Sequence, residues 1–164
     1  MNSTKLFIWG FLFVSVIGSL LHFVYEWSGN NSIVRLFAPW NESTWEHMKL
    51  LFFPMLVLVL FLFFKLPEQS PIPVALSIGT LVGLALIPIL FYTYTGVLGF
   101  SVMAIDIAIF YISVLGVFLT GWFLKDNRKL ANRNGLLLTC LVILAILFFI
   151  FSYYPPEIGL FQEP

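Results

Sequence analysis

Apolar residues are arranged along this chain in five long continuous runs separated by short polar segments. A helix that crosses the hydrocarbon core of a bilayer needs about 20 predominantly apolar residues, and each run has about that length. The runs do not alternate between apolar and polar positions, and they are too long for the strands of a membrane barrel. The pattern therefore predicts five membrane-spanning helices, at residues 6–27, 43–66, 72–94, 98–124 and 134–154.

The segments between the runs contain residues that end helices. Residues 28–32 are polar, prolines surround the turn at 67–73, and Gly96 and Gly99 separate the third run from the fourth. Pro155 follows the fifth run, and proline cannot continue a helix. We therefore predict an all-α integral membrane fold in which residues 1–164 form a single membrane domain.

The composition supports the same class of protein. Of the 164 residues, 60% are hydrophobic and 10% are charged, whereas soluble domains are about 45–50% apolar and about 25% charged. A chain of this size cannot hide so much apolar surface from water, which excludes a soluble globular domain. Eight basic and eight acidic residues balance, so no basic surface suits nucleic acid. The single cysteine, Cys140, excludes a disulfide within the chain.

The distribution of lysine and arginine predicts the orientation, because short cytoplasmic loops carry an excess of these residues. The segment between the fourth and fifth runs contains four of the eight basic residues. With five spans, the N-terminus and Lys65 are then also cytoplasmic, the C-terminus lies outside, and Arg35 lies in an outer loop. We therefore predict a multi-pass protein of the cell membrane. The four basic residues are Lys125, Arg128, Lys129 and Arg133.

The few remaining ionisable residues are concentrated near the predicted outer ends of the first, second and fourth helices. Charged groups inside a membrane cost about 2.5–3.5 kcal/mol each on insertion scales, so they usually face the bundle interior and find partners. On the first helix, polar residues recur every three or four positions and form one stripe, on which His22 and Glu26 can touch. The outer group consists of His22, Glu26, Glu42, Glu46, His47 and Asp106.

The second helix begins in a polar stretch with two separate signals. Ser43 and Glu46 match a capping box, which predicts a helix start. On one helix face Glu42, Glu46 and Lys49 lie together, and Glu46 and Lys49 can form an ion pair. His47 points about 100° away from Glu46 on a regular helix. Capping and pairing therefore account for Glu46 without a functional role, but they do not account for His47.

Asp106 is predicted to be the most deeply placed charge, well inside the fourth span. An intramembrane carboxylate is by default a functional-site hypothesis with a partner to be named. His22, His47 and Lys49 are the candidate partners. The structural alternative is a protonated Asp106 that bonds to neighbouring backbone or to Tyr94.

Two histidines and several carboxylates form a ligand set that suits a divalent metal such as zinc, manganese or iron(II). We predict His22, Glu26 and His47 as metal ligands. Glu46 and Asp106 are the predicted catalytic carboxylates, either completing the ligand set or acting as general base on a metal-bound water. No motif of fixed ligand spacing such as HExxH is present, so the hypothesis depends on proximity in the folded chain.

Two stretches resemble a family of small multi-pass bacterial membrane proteins that is catalogued as a domain of unknown function. They are residues 22–27, HFVYEW, and residues 41–49, NESTWEHMK, in which the pattern NESxWEHxK is the most specific part. The resemblance extends over essentially the whole chain. It implies a bacterial plasma membrane location and a five-helix bundle, and it carries no activity.

A looser similarity of site chemistry relates the chain to the transmembrane hydrolases that include alkaline ceramidases. Those enzymes hold zinc with histidine and aspartate side chains at the ends of their helices. They have three such histidines and seven spans, whereas this chain has two histidines and five predicted spans. The similarity therefore concerns the site alone.

Three functions are compatible with the sequence. The first is a metal-dependent hydrolase that acts on a lipid or a small molecule at the outer leaflet. The second is a structural or partner-binding bundle in which the polar cluster fixes helix packing. The third is a proton- or ion-coupled transport subunit that uses Asp106, although the charged group occupies only the outer half of the membrane. The substrate, the metal, the protein partners and the oligomeric state stay open.

Overall fold

Five α-helices account for most of the computed structural model, which describes residues 2–164 apart from the side chains of Asn132 and Asn134. All five are long and apolar enough to cross a membrane, and residues 2–164 contain no strand. The prediction of an all-α bundle with five membrane-spanning helices is therefore confirmed. The helices are α1 at Ser3–Trp27, α2 at Thr44–Lys65, α3 at Ile72–Leu98, α4 at Met103–Leu124 and α5 at Asn134–Tyr153.

The turn between α3 and α4 lies later in the chain than the sequence predicted. Helix α3 continues through Gly96 to Leu98, and Gly99 ends it with a φ of 80°, a left-handed conformation that glycine adopts without steric cost. Helix α4 consequently begins only at Met103, and Asp106 lies in its first turn. The prediction that Asp106 is deep in the span was wrong, because apolar residues continue through the turn and hide the helix boundary.

Small residues bring α3 and α4 into close contact. A Cβ atom added at Gly79 would collide with the backbone carbonyl of Val117, and one added at Gly83 would lie 3.0 Å from the carbonyl oxygen of Ser113. The small-residue pair Gly79 and Gly83 therefore permits close backbone approach. Helix α2 packs against α1 on one side and α3 on the other, and its Leu51, Phe52 and Met55 are fully buried.

Successive helices run in opposite directions, so alternate helix ends come together. One end holds the C-terminal ends of α1, α3 and α5 and the N-terminal ends of α2 and α4. On this side of the bundle, Ser19 Oγ of α1 lies 3.0 Å from Tyr111 Oη of α4. This end carries six of the eight acids and two of the eight basic residues, and we call it the acidic end. The opposite end, with six basic residues and two acids, is the basic end. Which end faces the cytoplasm stays a prediction.

Candidate metal centre

The start of α2 organises the acidic end. Ser43 is the N-cap residue, and its Oγ accepts a hydrogen bond from the Glu46 N–H at 3.3 Å, so the predicted helix start is confirmed. The capping box is only half formed, because the Ser43 N–H donates to Asn41 Oδ1 at 3.1 Å instead of to the Glu46 carboxylate. The Glu46 side chain is consequently available to the interior of the bundle.

Three side chains meet beside this helix start, one from α1 and two from the start of α2 and the residues just before it. His22 of α1, His47 of α2 and Glu42, just before α2, each present one ligand atom, and these atoms lie within 4.8 Å of one another. His47 Nε2 is 3.4 Å from Glu42 Oε2, and the two imidazole rings are 5.4 Å apart between centroids. Ligands about 2.0–2.2 Å from a tetrahedral zinc ion lie about 3.4 Å from one another. The cluster therefore needs only small side-chain movements to hold a metal.

Hydrogen bonding determines which nitrogen of His47 faces Glu42. His47 Nδ1 lies 3.0 Å from the carbonyl oxygen of Ser43. A carbonyl only accepts, so Nδ1 carries the proton and donates it. In neutral His47 the Nε2 lone pair then points toward the Glu42 carboxylate, which is also an acceptor. Two acceptors at this distance require a proton or a cation between them, and a backbone carbonyl on the other ring nitrogen is a usual partner of a metal-bound histidine.

The other two members of the cluster are also prepared for a ligand. His22 Nδ1 is buried and has no hydrogen-bond partner within the described part of the chain, although buried polar atoms are normally paired. The side chain of Glu42 is 67% exposed. The neighbouring His47 imidazole, in its protonated form, holds the pKa of Glu42 below its usual range, although partial burial acts in the opposite direction. Glu42 is therefore ionised at neutral pH, as a carboxylate ligand must be.

A cavity of about 110 Å³ opens beside the cluster. Both His22 and Glu42 line it, together with Glu26 and Trp40. A water molecule occupies about 30 Å³ in the liquid, so the space admits a few waters or a small chemical group. Glu26 thus borders the same space as the histidine cluster, although it is not one of the three grouped ligands.

The structure brings together two of the three predicted ligands, His22 and His47. The third residue of the group is Glu42, whereas the sequence predicted Glu26 as the third ligand. The sequence placed Glu42 on the helical face shared by Glu46 and Lys49, but α2 begins only at Thr44. Because Glu42 precedes the helix, its side chain can turn toward His47. The capping residue Ser43 is the signal that would have placed Glu42 outside the helix.

Glu46 belongs to a second polar cluster, which is fully buried. Lys49 Nζ donates to Glu46 Oε2 at 2.5 Å, to Ser152 Oγ at 2.6 Å and to the carbonyl oxygen of Arg35 at 2.9 Å. The predicted ion pair between Glu46 and Lys49 is confirmed. All three ammonium hydrogens have acceptors. We call this set the Lys49 network, and it joins α2 to α5 and to the segment that precedes α2.

Asp106 lies near the histidine cluster but has a different partner. Tyr94 Oη donates to Asp106 Oδ1 and accepts a hydrogen bond from the Val102 N–H at 3.0 Å. The three residues therefore tie the end of α3 to the start of α4. Asp106 is close enough to interact electrostatically with His47, without contributing one of the three grouped ligand atoms.

A known protein family matches the chain over its whole length. A family model described as a family of unknown function, DUF6512, matches residues 1–164. The chain belongs to this family. The match confirms the resemblance to an uncharacterised family, and it supplies no activity, substrate or cofactor. No curated protein and no solved structure matches the chain. Family and fold together describe a multi-pass membrane protein of unknown function.

Proposed function

We propose that this protein binds a divalent metal, zinc foremost, at its acidic end and uses it to hydrolyse a lipid or a small molecule. The observation that carries the proposal is the meeting of His22, Glu42 and His47 beside an open cavity. Catalytic zinc sites use three nitrogen or oxygen ligands and leave a further position for water or substrate. Manganese and iron(II) accept the same ligand set.

Each residue of the cluster has a role in this proposal. His22, His47 and Glu42 hold the metal, and the hydrogen bond from His47 to the Ser43 carbonyl orients the imidazole. A metal in this position would lower the pKa of a bound water toward 7. Glu26, which lines the cavity, would accept the proton as general base. Glu46 is left out because Lys49 already occupies its carboxylate, and Asp106 acts only at a distance.

The surroundings of the cavity support a substrate that arrives from the membrane. Phe23 lines the cavity and stacks on Trp27 at 5.7 Å between ring centroids. Trp27 is 69% exposed at the end of α1, and aromatic rings at helix ends lie at the level of the lipid headgroups. Basic residues concentrate on the cytoplasmic side of membrane proteins, and here they are in excess at the opposite end. We therefore propose that the site faces the outside of a bacterial plasma membrane.

Zinc titration into the metal-free, detergent-purified protein tests the metal site. We expect one zinc per chain in the parent and none in the variant with both His22→Ala and His47→Ala. Glu163→Gln, at the same end and outside the cluster, is the control that should bind as the parent does. A parent that binds no zinc, or a double variant that binds it unchanged, overturns the proposal.

Hydrolysis has its own test. Zinc-loaded parent in phospholipid vesicles should release a water-soluble product, and a chelator should abolish the release. Glu26→Gln should keep the zinc stoichiometry and lose the turnover, because it removes the base and keeps the ligands. If parent and Glu26→Gln release product equally, Glu26 is not the base.

A structural role is the second candidate, and one observation favours it. The separation of 3.4 Å between His47 and Glu42 also suits an imidazolium paired with a carboxylate. In that case zinc should leave the thermal unfolding midpoint of the parent unchanged, and the double histidine variant should lower the midpoint equally with and without zinc. A midpoint that rises with zinc concentration in the parent alone favours the metal site.

A further inference from the structure

A groove between α1 and α2 opens at the basic end, on the far side of the bundle from the candidate metal centre. Its volume is about 360 Å³, and its walls include Trp9 and Phe13 of α1 and Val57 and Phe61 of α2. Gly10 forms part of the floor, where an added Cβ would lie 2.9 Å from the ring of Phe118. Every lining side chain is apolar. The groove therefore suits hydrocarbon and offers no recognition of a polar molecule.

Two lysines continue the groove toward the membrane surface. Lys5 lies four residues before Trp9, and Lys65 lies four residues after Phe61, so each is one turn along the same helix face as the groove lining. Because α1 and α2 are antiparallel neighbours, both lysines lie at the basic end. Both are exposed, and neither forms an ion pair with a residue that the structure describes.

We propose that α1 and α2 form a binding site for an anionic phospholipid. One acyl chain occupies the groove, and the phosphate lies between Lys5 and Lys65. The volume is at the lower end of the range of about 300–1,000 Å³ for ligand pockets, which suits part of an acyl chain rather than a whole lipid. Basic residues beside a membrane attract anionic lipids, and this end carries six of them against two acids.

Interfacial aromatic residues support the same placement. Trp9 is 68% exposed and lies one turn from Lys5, at the depth where tryptophan rings meet lipid headgroups. A lipid bound here would contact an apolar slot, an interfacial indole and two ammonium groups at successive depths. The site is independent of the candidate metal centre, and its test does not depend on zinc.

Native mass spectrometry of the full chain tests the selectivity. The detergent-purified parent is mixed with equal concentrations of phosphatidylglycerol and phosphatidylcholine. We expect one bound phosphatidylglycerol per chain, retained at least fivefold over phosphatidylcholine, and no binding of glycerol phosphate alone. Equal retention of the two lipids overturns the proposal, because it indicates only a nonspecific lipid shell. This comparison needs no variant and therefore does not depend on how any variant folds.

Matched charge variants test the lysines. The double variant Lys5→Gln and Lys65→Gln should lose the preference for phosphatidylglycerol. The control is the double variant Arg128→Gln and Lys129→Gln, which removes the same charge from the same end, away from the groove, and should keep the preference. If the first pair keeps the preference, or both pairs lose it equally, the assignment of the headgroup to Lys5 and Lys65 is overturned.

A third pair of variants tests the groove. Val57, which is 57% exposed, can be replaced by tryptophan to fill the slot from the lipid side. We expect Val57→Trp to lose the bound lipid. Val142→Trp, on the exposed face of α5 at 48% exposure, should keep it. Unchanged lipid retention in Val57→Trp overturns the placement of the acyl chain.

Discussion

Two polar clusters lie beside the first two turns of α2, and they differ in how far their hydrogen bonds are satisfied. In the Lys49 network every ammonium hydrogen has an acceptor, and Glu46 and Lys49 are 2% and 0% exposed. In the histidine cluster two acceptors face each other at 3.4 Å, and His22 Nδ1 has no partner among the described residues. Each cluster combines a carboxylate with basic side chains, so the residue types alone do not show which cluster is structural and which is a candidate site.

The difference teaches how to distinguish a structural charge pair from a candidate site. A buried charge is tolerated when all of its hydrogen bonds are made, and such a pair has no capacity left for a ligand. A half-exposed group of acceptors beside a cavity has that capacity. We therefore expect substitutions in the Lys49 network to change the stability of the fold, and substitutions in the histidine cluster to change metal binding.

The largest expected effect is that of Lys49→Met. Removing the ammonium leaves Glu46 as an unpaired buried carboxylate, and breaking such a pair costs about 3–5 kcal/mol. Denaturant unfolding of the detergent-purified protein measures the loss. Glu46→Leu combined with Lys49→Met should recover part of it, because both charges are then absent. A single variant as stable as the parent would contradict the distinction between the two clusters.

The next effect concerns Glu42→Gln. Loss of an outer partner of a metal ligand typically costs about 10–100-fold in affinity, and loss of a ligand itself should cost at least as much. Competition with a zinc-binding dye measures the affinity. Glu26→Gln is the matched control on the same cavity and should change the affinity little. If Glu26→Gln has the larger effect, the original prediction of Glu26 as ligand is the better one.

Acidification should weaken metal binding by a smaller factor. An imidazole must be neutral to bind a metal, so protons compete with zinc for both histidines. Because the pKa of Glu42 lies below its usual range, that carboxylate stays ionised at mildly acidic pH and contributes nothing to the change. We expect zinc affinity to fall about tenfold between pH 7.5 and 6.0. An affinity that is constant over this interval would exclude two histidine ligands.

The smallest effect is expected at Tyr153, which follows Ser152 of the Lys49 network in the chain. Tyr153 donates a hydrogen bond to the Ser32 carbonyl at 2.8 Å in an exposed position. Tyr153→Phe should therefore lower the unfolding free energy by about 0.5–1 kcal/mol and leave zinc affinity unchanged. Tyr154→Phe, at a residue that is 79% exposed, is the control. A change in zinc affinity would show that the two clusters are coupled.

The number of helices and the identity of the residues in the polar group could be predicted from the sequence. Membrane spans are determined by run length, because every backbone polar group in hydrocarbon must be satisfied within the helix. Ser43 likewise marks the start of α2 through its own short-range hydrogen bond. The α3–α4 turn was misplaced because Val97, Leu98 and Val102 are as apolar as the spans, and only the left-handed conformation of Gly99 marks the boundary.

Sequence alone therefore determined the class of protein, its five helices, the pairing of Glu46 with Lys49 and the candidacy of His22 and His47. These depend on local spacing and on the cost of charge in a membrane. Only the tertiary structure decided that Glu42 rather than Glu26 joins the histidines, and that Ser152 and Arg35 complete the Lys49 network. Those contacts join residues up to 103 positions apart, and helix packing, which no local pattern encodes, brings them together.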